Sequence, residues 1–192
     1  MLSNLSYELE EIIGEGSMAV VYRARHRELE SLHAIKKLKV QDFDIQNRLI
    51  QEGRLLANIR HPNILSVTDL VKLDGSPSLV MEFIQGPSLA LFLQQLDLTL
   101  VQADALARGI LNGVLAAHNK GLIHRDLKPG NILLDIIDGN IVPKVADFGL
   151  AKIVDSSSPI LPMTRTGVTM GTPAYMAPEQ IKDFGSVDCQ QS

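Results

Sequence analysis

The run His124-Arg125-Asp126-Leu127-Lys128-Pro129-Gly130-Asn131, with Asp147-Phe148-Gly149 beginning sixteen positions after Asn131, constrains this chain more than any other feature. It puts an aspartate, a lysine and an asparagine on one short loop and a second aspartate on another. These are the groups needed to hold a phosphate chain, its divalent cations and an acceptor hydroxyl in line. A run of this length and order has a very low chance rate, unlike a lone glycine motif.

Composition narrows the setting. A chain of 192 residues can bury a core as one ordinary domain or as two small lobes. Its hydrophobic fraction of 45% and charged fraction of 21% are those of a soluble globular protein without a disorder signature. A net charge of −4 argues against nucleic acid or an acidic membrane surface as the main partner. Five Phe, three Tyr and no Trp leave little on which bases could stack. Basic residues are scattered apart from Lys36-Lys37-Leu38-Lys39, in which Lys37 and Lys39 read equally well as a solvated strand edge. The single cysteine, Cys189, rules out an internal disulfide framework and a multi-cysteine zinc site, and fits a reducing compartment. The N-terminal residues carry no secretory pattern, and no stretch approaches the ~20 apolar residues of a membrane span. The expected location is cytoplasmic, with no membrane segment and no nucleic-acid partner.

The first part of the chain reads as strands. Tyr7 to Ile13 leads into Gly14-Glu15-Gly16, and Ala19-Val20-Val21-Tyr22-Arg23-Ala24 follows with β-branched and aromatic residues, so a hairpin is expected. A third strand is expected at Leu32-His33-Ala34-Ile35-Lys36. Asp42 can cap a helix running to about Ile59, which Pro62 ends. Two more strands, near 65–73 and 78–83, flank the turn signal Asp74-Gly75. Gly86-Pro87 then breaks the chain and marks a boundary. Beyond it, Ser88 can cap a short helix through Gln95. Thr99 with Gln102 forms a capping box for a longer helix, and Gly121 supplies its stop. Leu106, Ile110, Val114 and His118 share a face of that helix, with His118 as a helix-end histidine. Two short strands follow, around Ile132-Leu133-Leu134 and Val142-Pro143-Lys144-Val145, and Asp155-Ser156-Ser157-Ser158-Pro159 reads as a mobile loop.

Taken alone, Gly14-Glu15-Gly16-Ser17-Met18-Ala19 fits either an ordinary hairpin turn or a loop lying over phosphates. Val20-Val21-Tyr22 favours a strand next, where a dinucleotide fold would place a helix. Added to it are Ala34-Ile35-Lys36, the helix around Glu52 with its exit Arg60-His61-Pro62-Asn63-Ile64, Leu79-Val80-Met81-Glu82-Phe83-Ile84, and Ala177-Pro178-Glu179. With the opening run, this set resembles the eukaryotic-type (Hanks-type) serine/threonine protein kinases over about Tyr7 to Glu179, in wording closest to the bacterial ones. Two departures stand out: Ala19 where the pattern has a third glycine, and His33 where it usually has valine.

The resemblance implies an α+β, bilobal fold. Residues 1–84 would form a complete N-lobe, a five-stranded antiparallel sheet plus one helix with the glycine-rich loop and the hinge. Residues 85–192 would form a partial helical C-lobe with the catalytic loop and activation segment, truncated after Ala177-Pro178-Glu179. It also implies roles. Gly14 and Gly16 would lie over the phosphates of ATP, and Lys36, held by Glu52, would reach them. The alternative for Glu52 is a solvated helix face. Val21, Ala34 and Leu133 would sandwich the adenine, with Met81 at the back of the pocket and the backbone of Glu82 and Ile84 hydrogen-bonding the base. Each of these apolar residues is equally explicable as core.

Asp126 would accept or orient the substrate hydroxyl proton, and Lys128 would stabilise the transferring phosphoryl charge. Asn131 and Asp147 would bind Mg2+, with Mn2+ as an alternative. Lysine two positions after Asp126 is the serine/threonine pattern. Thr164 or Thr166 would be the autophosphorylation site, with Arg125 and Lys152 as cationic partners for the phosphate. Thr172 would instead contact Asp126 and Lys128. Two functions follow from different classes: a Mg-ATP-dependent kinase acting on protein Ser/Thr hydroxyls, or a truncated, catalytically inactive nucleotide-binding or interaction fragment of one.

Overall fold

Alternating β-branched and aromatic residues in the first part of the chain build an antiparallel sheet from β1 (Tyr7–Glu15), β2 (Ala19–His26), β3 (Leu32–Leu38), β4 (Val67–Leu73) and β5 (Ser76–Glu82). The computed structural model describes residues 6–16, 18–148 and Tyr175. The chain divides into two units, Met1–Arg60 with Leu65–Gln85, and His61–Ile64 with Gly86–Ser192.

In the first unit the strand order is β1-β2-β3-β5-β4. Period-two alternation gives the sheet two different faces. On one, Tyr7, Ala24, Ile35, Leu73 and Val80 form a buried cluster with Val71 packed against it. Each fully buried Ile, Leu or Val contributes about 1.5–3 kcal/mol of apolar transfer. Tyr7 also meets His26 and His33 edge-on, at ring-centroid distances of 5.0 and 5.2 Å, so the His33 departure fills the end of this core. On the other face, Lys36 stands opposite both Val21 and Leu79.

Helix α1 (Phe43–Ala57) covers that second face. Asp42 caps it, its Oδ1 accepting from the amides of Asp44 and Ile45 at 2.9 and 3.0 Å. Leu79 packs on Gly53 of this helix, where an added Cβ would lie 2.4 Å from Leu79 Cδ2. The sheet reverses at Asp74-Gly75, whose φ angles of 49° and 81° give the turn that matches strand twist.

The second unit holds α2 (Leu89–Gln95), α3 (Leu100–His118), β6 (Ile132–Ile137) and β7 (Asn140–Val145). Ser88 caps α2, and Thr99 with Gln102 forms the capping box of α3. Gly121, at φ 73°, closes α3 by donating to the His118 carbonyl at 2.8 Å. The buried stripe of α3 is Leu106, Gly113, Val114 and Ala117, while Ile110 and His118 are half-buried. Small residues therefore complete the face that apolar spacing marked.

Gly109 and Gly113 let α3 approach β7 and the segment His61–Ile64 closely. An added Cβ would come 2.6 Å from Pro143 Cγ and 2.5 Å from the Asn63 carbonyl oxygen, respectively. Asn63 holds the segment there: its Nδ2 donates to the Pro143 carbonyl and its own carbonyl accepts from the Val145 amide, both at 2.9 Å. This detour of four residues into the second unit interrupts the continuous 1–84 stretch expected from the sequence.

Residues 155–159, Lys152, Thr164, Thr166, Thr172 and Ala177-Pro178-Glu179 lie outside the described residues, as do Ser17 and Cys189. Among the described residues no helix is long and apolar enough to cross a membrane.

Candidate active site

In the second unit, the loop that follows α3 carries a connected set of hydrogen bonds. His124 is fully buried there. Its Nδ1 accepts from the Asp126 amide at 3.3 Å, so the ring proton lies on Nε2, which donates to the Ala146 carbonyl at 2.8 Å. Burial pushes the imidazole pKa down, partly offset by its bond to Ala146 and by the carboxylates of Asp147 and Asp126. The ring also packs on Phe148, with centroids 4.7 Å apart. A second tie, the Ala146 amide to the Asn131 carbonyl at 2.8 Å, binds the same two loops. Asp126 and Asp147 thus belong to one hydrogen-bonded frame.

Within that frame Asp126 and Lys128 are half-buried, their side chains 23% and 24% exposed, and Lys128 Nζ sits 2.7 Å from Asp126 Oδ2. The same oxygen accepts from Asn131 Nδ2 at 3.1 Å, and the Asp126 carbonyl accepts from it at 2.8 Å. Both Asn131 partners are acceptors, which fixes the amide with its nitrogen toward Asp126, so that Oδ1 is the side chain's acceptor atom. The turn Pro129–Asn131, closed by the Asn131 amide on the Lys128 carbonyl at 2.9 Å, is what brings residues 126, 128 and 131 together. Asp147 is exposed between buried Ala146 and Phe148. Arg125 and Asp147 adopt φ of 64° and 60°, which side-chain-bearing residues rarely do. Such strain persists only where surrounding bonds over-determine it, as the His124 and Asn131 ties do here. Carboxylate and amide oxygens of this kind are hard donors that suit Mg2+. Leu133, on β6, is half-buried in the same unit.

The remaining sequence-selected residues lie in the first unit. Gly14, Val21, Lys36 and Leu79 stand in a row across β1, β2, β3 and β5, and Ala34 stands opposite Met81. Lys36 and Glu52 are both buried, at 6% and 9% exposure. Lys36 leaves the sheet on the face that α1 covers, because Leu79 beside it packs on Gly53, the neighbour of Glu52. Neither Gly14 nor Gly16 is required by the fold's own packing. An added Cβ would meet Val21 at 3.6 Å and the Ala19 carbonyl at 3.8 Å, both ordinary contacts. Glu82 ends β5 and is tied to Ser66 by two hydrogen bonds, and Ile84 follows it outside regular secondary structure.

Two positioning residues were not singled out by sequence reasoning. His124 stands in the motif itself, and only its burial and its bond to Ala146 reveal its positioning role. Asn63 follows Pro62 in a segment read only as a helix exit, and no local pattern marks its partner eighty residues away.

Comparison with known proteins identifies the family. The protein kinase domain family matches residues 7–189. The serine/threonine-protein kinase PkaA of Streptomyces coelicolor is 40% identical over 188 residues, covering 90% of this chain and 34% of that protein. The kinase pkn3 of Myxococcus xanthus is 36% identical, covering 92% and 33%. PknL of Mycobacterium tuberculosis is 36% identical, covering 95% and 45%. The chain thus spans from about a third to under half of these relatives. The crystal structure of Rad53 1–466 in complex with AMP-PNP superposes with a TM-score of 0.74 at 29% identity, covering 93% of this chain and 43% of that one. In fold and sequence together, the chain belongs to the protein kinase domain family, on its bacterial, eukaryotic-type serine/threonine branch.

Proposed function

We propose that this chain transfers the γ-phosphoryl group of Mg-ATP to serine or threonine hydroxyls of proteins. The observation that carries the reading is the shared oxygen of Asp126. Its Oδ2 is held by both Lys128 and Asn131, which leaves Oδ1 to receive a proton from an acceptor hydroxyl. As the hydroxyl oxygen bonds to the γ-phosphorus, the bond from that phosphorus to the β,γ-bridging oxygen breaks and ADP leaves. The hydroxyl proton passes to Asp126, and Lys128 steadies the charge of the transferring group. Mg2+, which Asn131 Oδ1 and the Asp147 carboxylate would hold, supplies neutralisation of the phosphate oxygens, and Mn2+ is a plausible substitute by donor chemistry.

Residues 1–84 would act as the nucleotide-holding lobe and 85–192 as the catalytic one. Gly14 and Gly16 support this, since among the described residues nothing demands glycine there and a phosphate chain lying against the backbone would. Lys36 and Glu52 would pair to present an ammonium to the phosphates. Val21, Ala34 and Leu133 would enclose the adenine, with Glu82 and Ile84 reading its edge, a role supported by the AMP-PNP bound to the Rad53 relative. Thr164 or Thr166 would take phosphate, with Arg125 as partner, and the cytoplasm is the compartment that ATP and a lone cysteine favour.

The test is phosphorylation of a basic model protein with Mg-ATP, wild type against Asp147→Asn. Incorporation by the wild type alone supports the reading. Equal incorporation by both overturns it in favour of a contaminant, and none by either favours a non-catalytic fragment.

A further inference from the structure

In the run Lys36-Lys37-Leu38-Lys39, only Lys36 has a place in the catalysis proposed above. Lys37 pairs with Asp74 in the β4–β5 turn. Lys39, one residue past the end of β3, turns instead to the loop that holds Gly14 and Gly16. Its Nζ donates to Glu15 Oε1 at 2.7 Å, and its amide donates to the Met18 carbonyl at 2.8 Å. Glu15 ends β1 on the outgoing limb of that loop, and Met18 precedes β2 on the returning limb. One residue at the end of the third strand thus ties both limbs. Between them the Gly16 amide donates to the Ala19 carbonyl at 2.9 Å and closes the turn.

The tie runs on the face of the sheet opposite Lys36. Glu15 stands across from Val20 and Val20 from Lys37, and Lys39 follows Lys37 by two positions, on the same face. Gly14, Val21 and Lys36 make the neighbouring row and belong to the other face. Lys39 therefore holds the loop from behind. Its hydrogen bond and its charge keep the Glu15 carboxyl below the ordinary pKa, so the pair is ionic at neutral pH. Glycine gives up more conformational freedom on ordering than any other residue. A loop carrying Gly14 and Gly16 loses that freedom when it closes on a ligand, and each tie made beforehand lowers the cost.

We propose that Lys39 is a positioning residue that, by holding Glu15, pre-orders the glycine-rich loop for the phosphates of a nucleotide without touching the nucleotide. The proposal rests on the nucleotide-binding reading above. It assigns part of the phosphate affinity to an ion pair on the far face of the loop. Adenosine, which has no phosphates for the loop to close on, gains nothing from the tie.

The experiment measures Kd by titration calorimetry on the full chain, for Mg-ADP and for adenosine, in wild type, Lys39→Met, Glu15→Gln and the double variant. Each single change also alters the charge near the phosphates, but that contribution carries into the double variant and cancels in the cycle. Both side chains are accessible, at 34% and 60% exposure, so all four proteins are expected to fold. For Mg-ADP, the product of the two single losses is expected to exceed the loss in the double variant by roughly twofold to fivefold, the range of an exposed ion pair. For adenosine no coupling is expected. Lys39→Arg, which keeps the charge, is expected to bind Mg-ADP as wild type does. Absence of coupling for Mg-ADP would mean a surface pair without effect, and equal coupling for adenosine a general structural role; either overturns the proposal. So does a loss in Lys39→Arg equal to that in Lys39→Met. A wild type that binds Mg-ADP no more tightly than adenosine overturns this proposal alone. A wild type that binds neither overturns the nucleotide reading as well.

Discussion

Replacing His124 by phenylalanine removes both ring nitrogens while keeping an aromatic ring against Phe148. Two groups lose partners: the Ala146 carbonyl, whose residue is 6% exposed, and the half-buried Asp126 amide. A buried polar group left unsatisfied costs about 1–3 kcal/mol, and the more accessible amide less, so the expected loss is about 2–3 kcal/mol. His124→Ala adds a cavity beside Phe148 and should cost about 3–5 kcal/mol. Urea unfolding of the full chain at neutral pH, followed by circular dichroism, reads both.

The pH dependence is the sharper check on the state of the His124 ring. The unfolded imidazole titrates near 6.5, and burial holds the folded one lower. Below pH 6.5 the unfolded chain therefore binds more protons than the folded one, and acidification favours unfolding. The contribution of His124 is whole above that value and declines as the pH falls toward the folded pKa. His33 shifts in the same direction, chiefly by desolvation, but is present in both proteins and cancels in their difference. The stability gap between wild type and His124→Phe should thus narrow on going from pH 7.5 to about 5. A gap that is small at pH 7.5, or that stays constant across the range, would refute the assignment of a neutral, doubly bonded ring.

Two further outcomes follow from close contacts and their absence. Gly86→Ala would place a Cβ 1.8 Å from the Leu134 carbonyl oxygen, so chain must shift, and a loss of about 1–3 kcal/mol in chemical denaturation is expected. Gly16→Ala meets only the Ala19 carbonyl at 3.8 Å, so its melting curve should be unchanged while its calorimetric affinity for Mg-ADP falls severalfold.

Local chemistry made much of the fold legible. Asp42, Ser88 and Thr99 cap the helices that their positions announce, because capping depends on residues within one turn. Asp74-Gly75 announces its hairpin through two positive φ angles. Asp138-Gly139 makes the same turn, at φ 51° and 77°, between strands that the sequence showed only as short apolar fragments. The candidate site was legible for a related reason: Asp126, Lys128 and Asn131 fall within six residues, and their mutual bonds follow from that spacing. What stayed hidden is long-range. Asn63 reaches Pro143, Gly109 and Gly113 make room for it, and Ser66 meets Glu82, none of which has a local signature.

Asp126 is proposed to accept the proton as phosphate moves to a hydroxyl. The most direct test is the rate of phosphate incorporation from Mg-ATP into a basic model protein, resolved into phosphoserine and phosphothreonine, for wild type and Asp126→Asn. Phosphoserine or phosphothreonine is expected from the wild type and a rate lower by at least about 100-fold in the variant, the lower bound for a positioned general base. Comparable rates from the two proteins would contradict it.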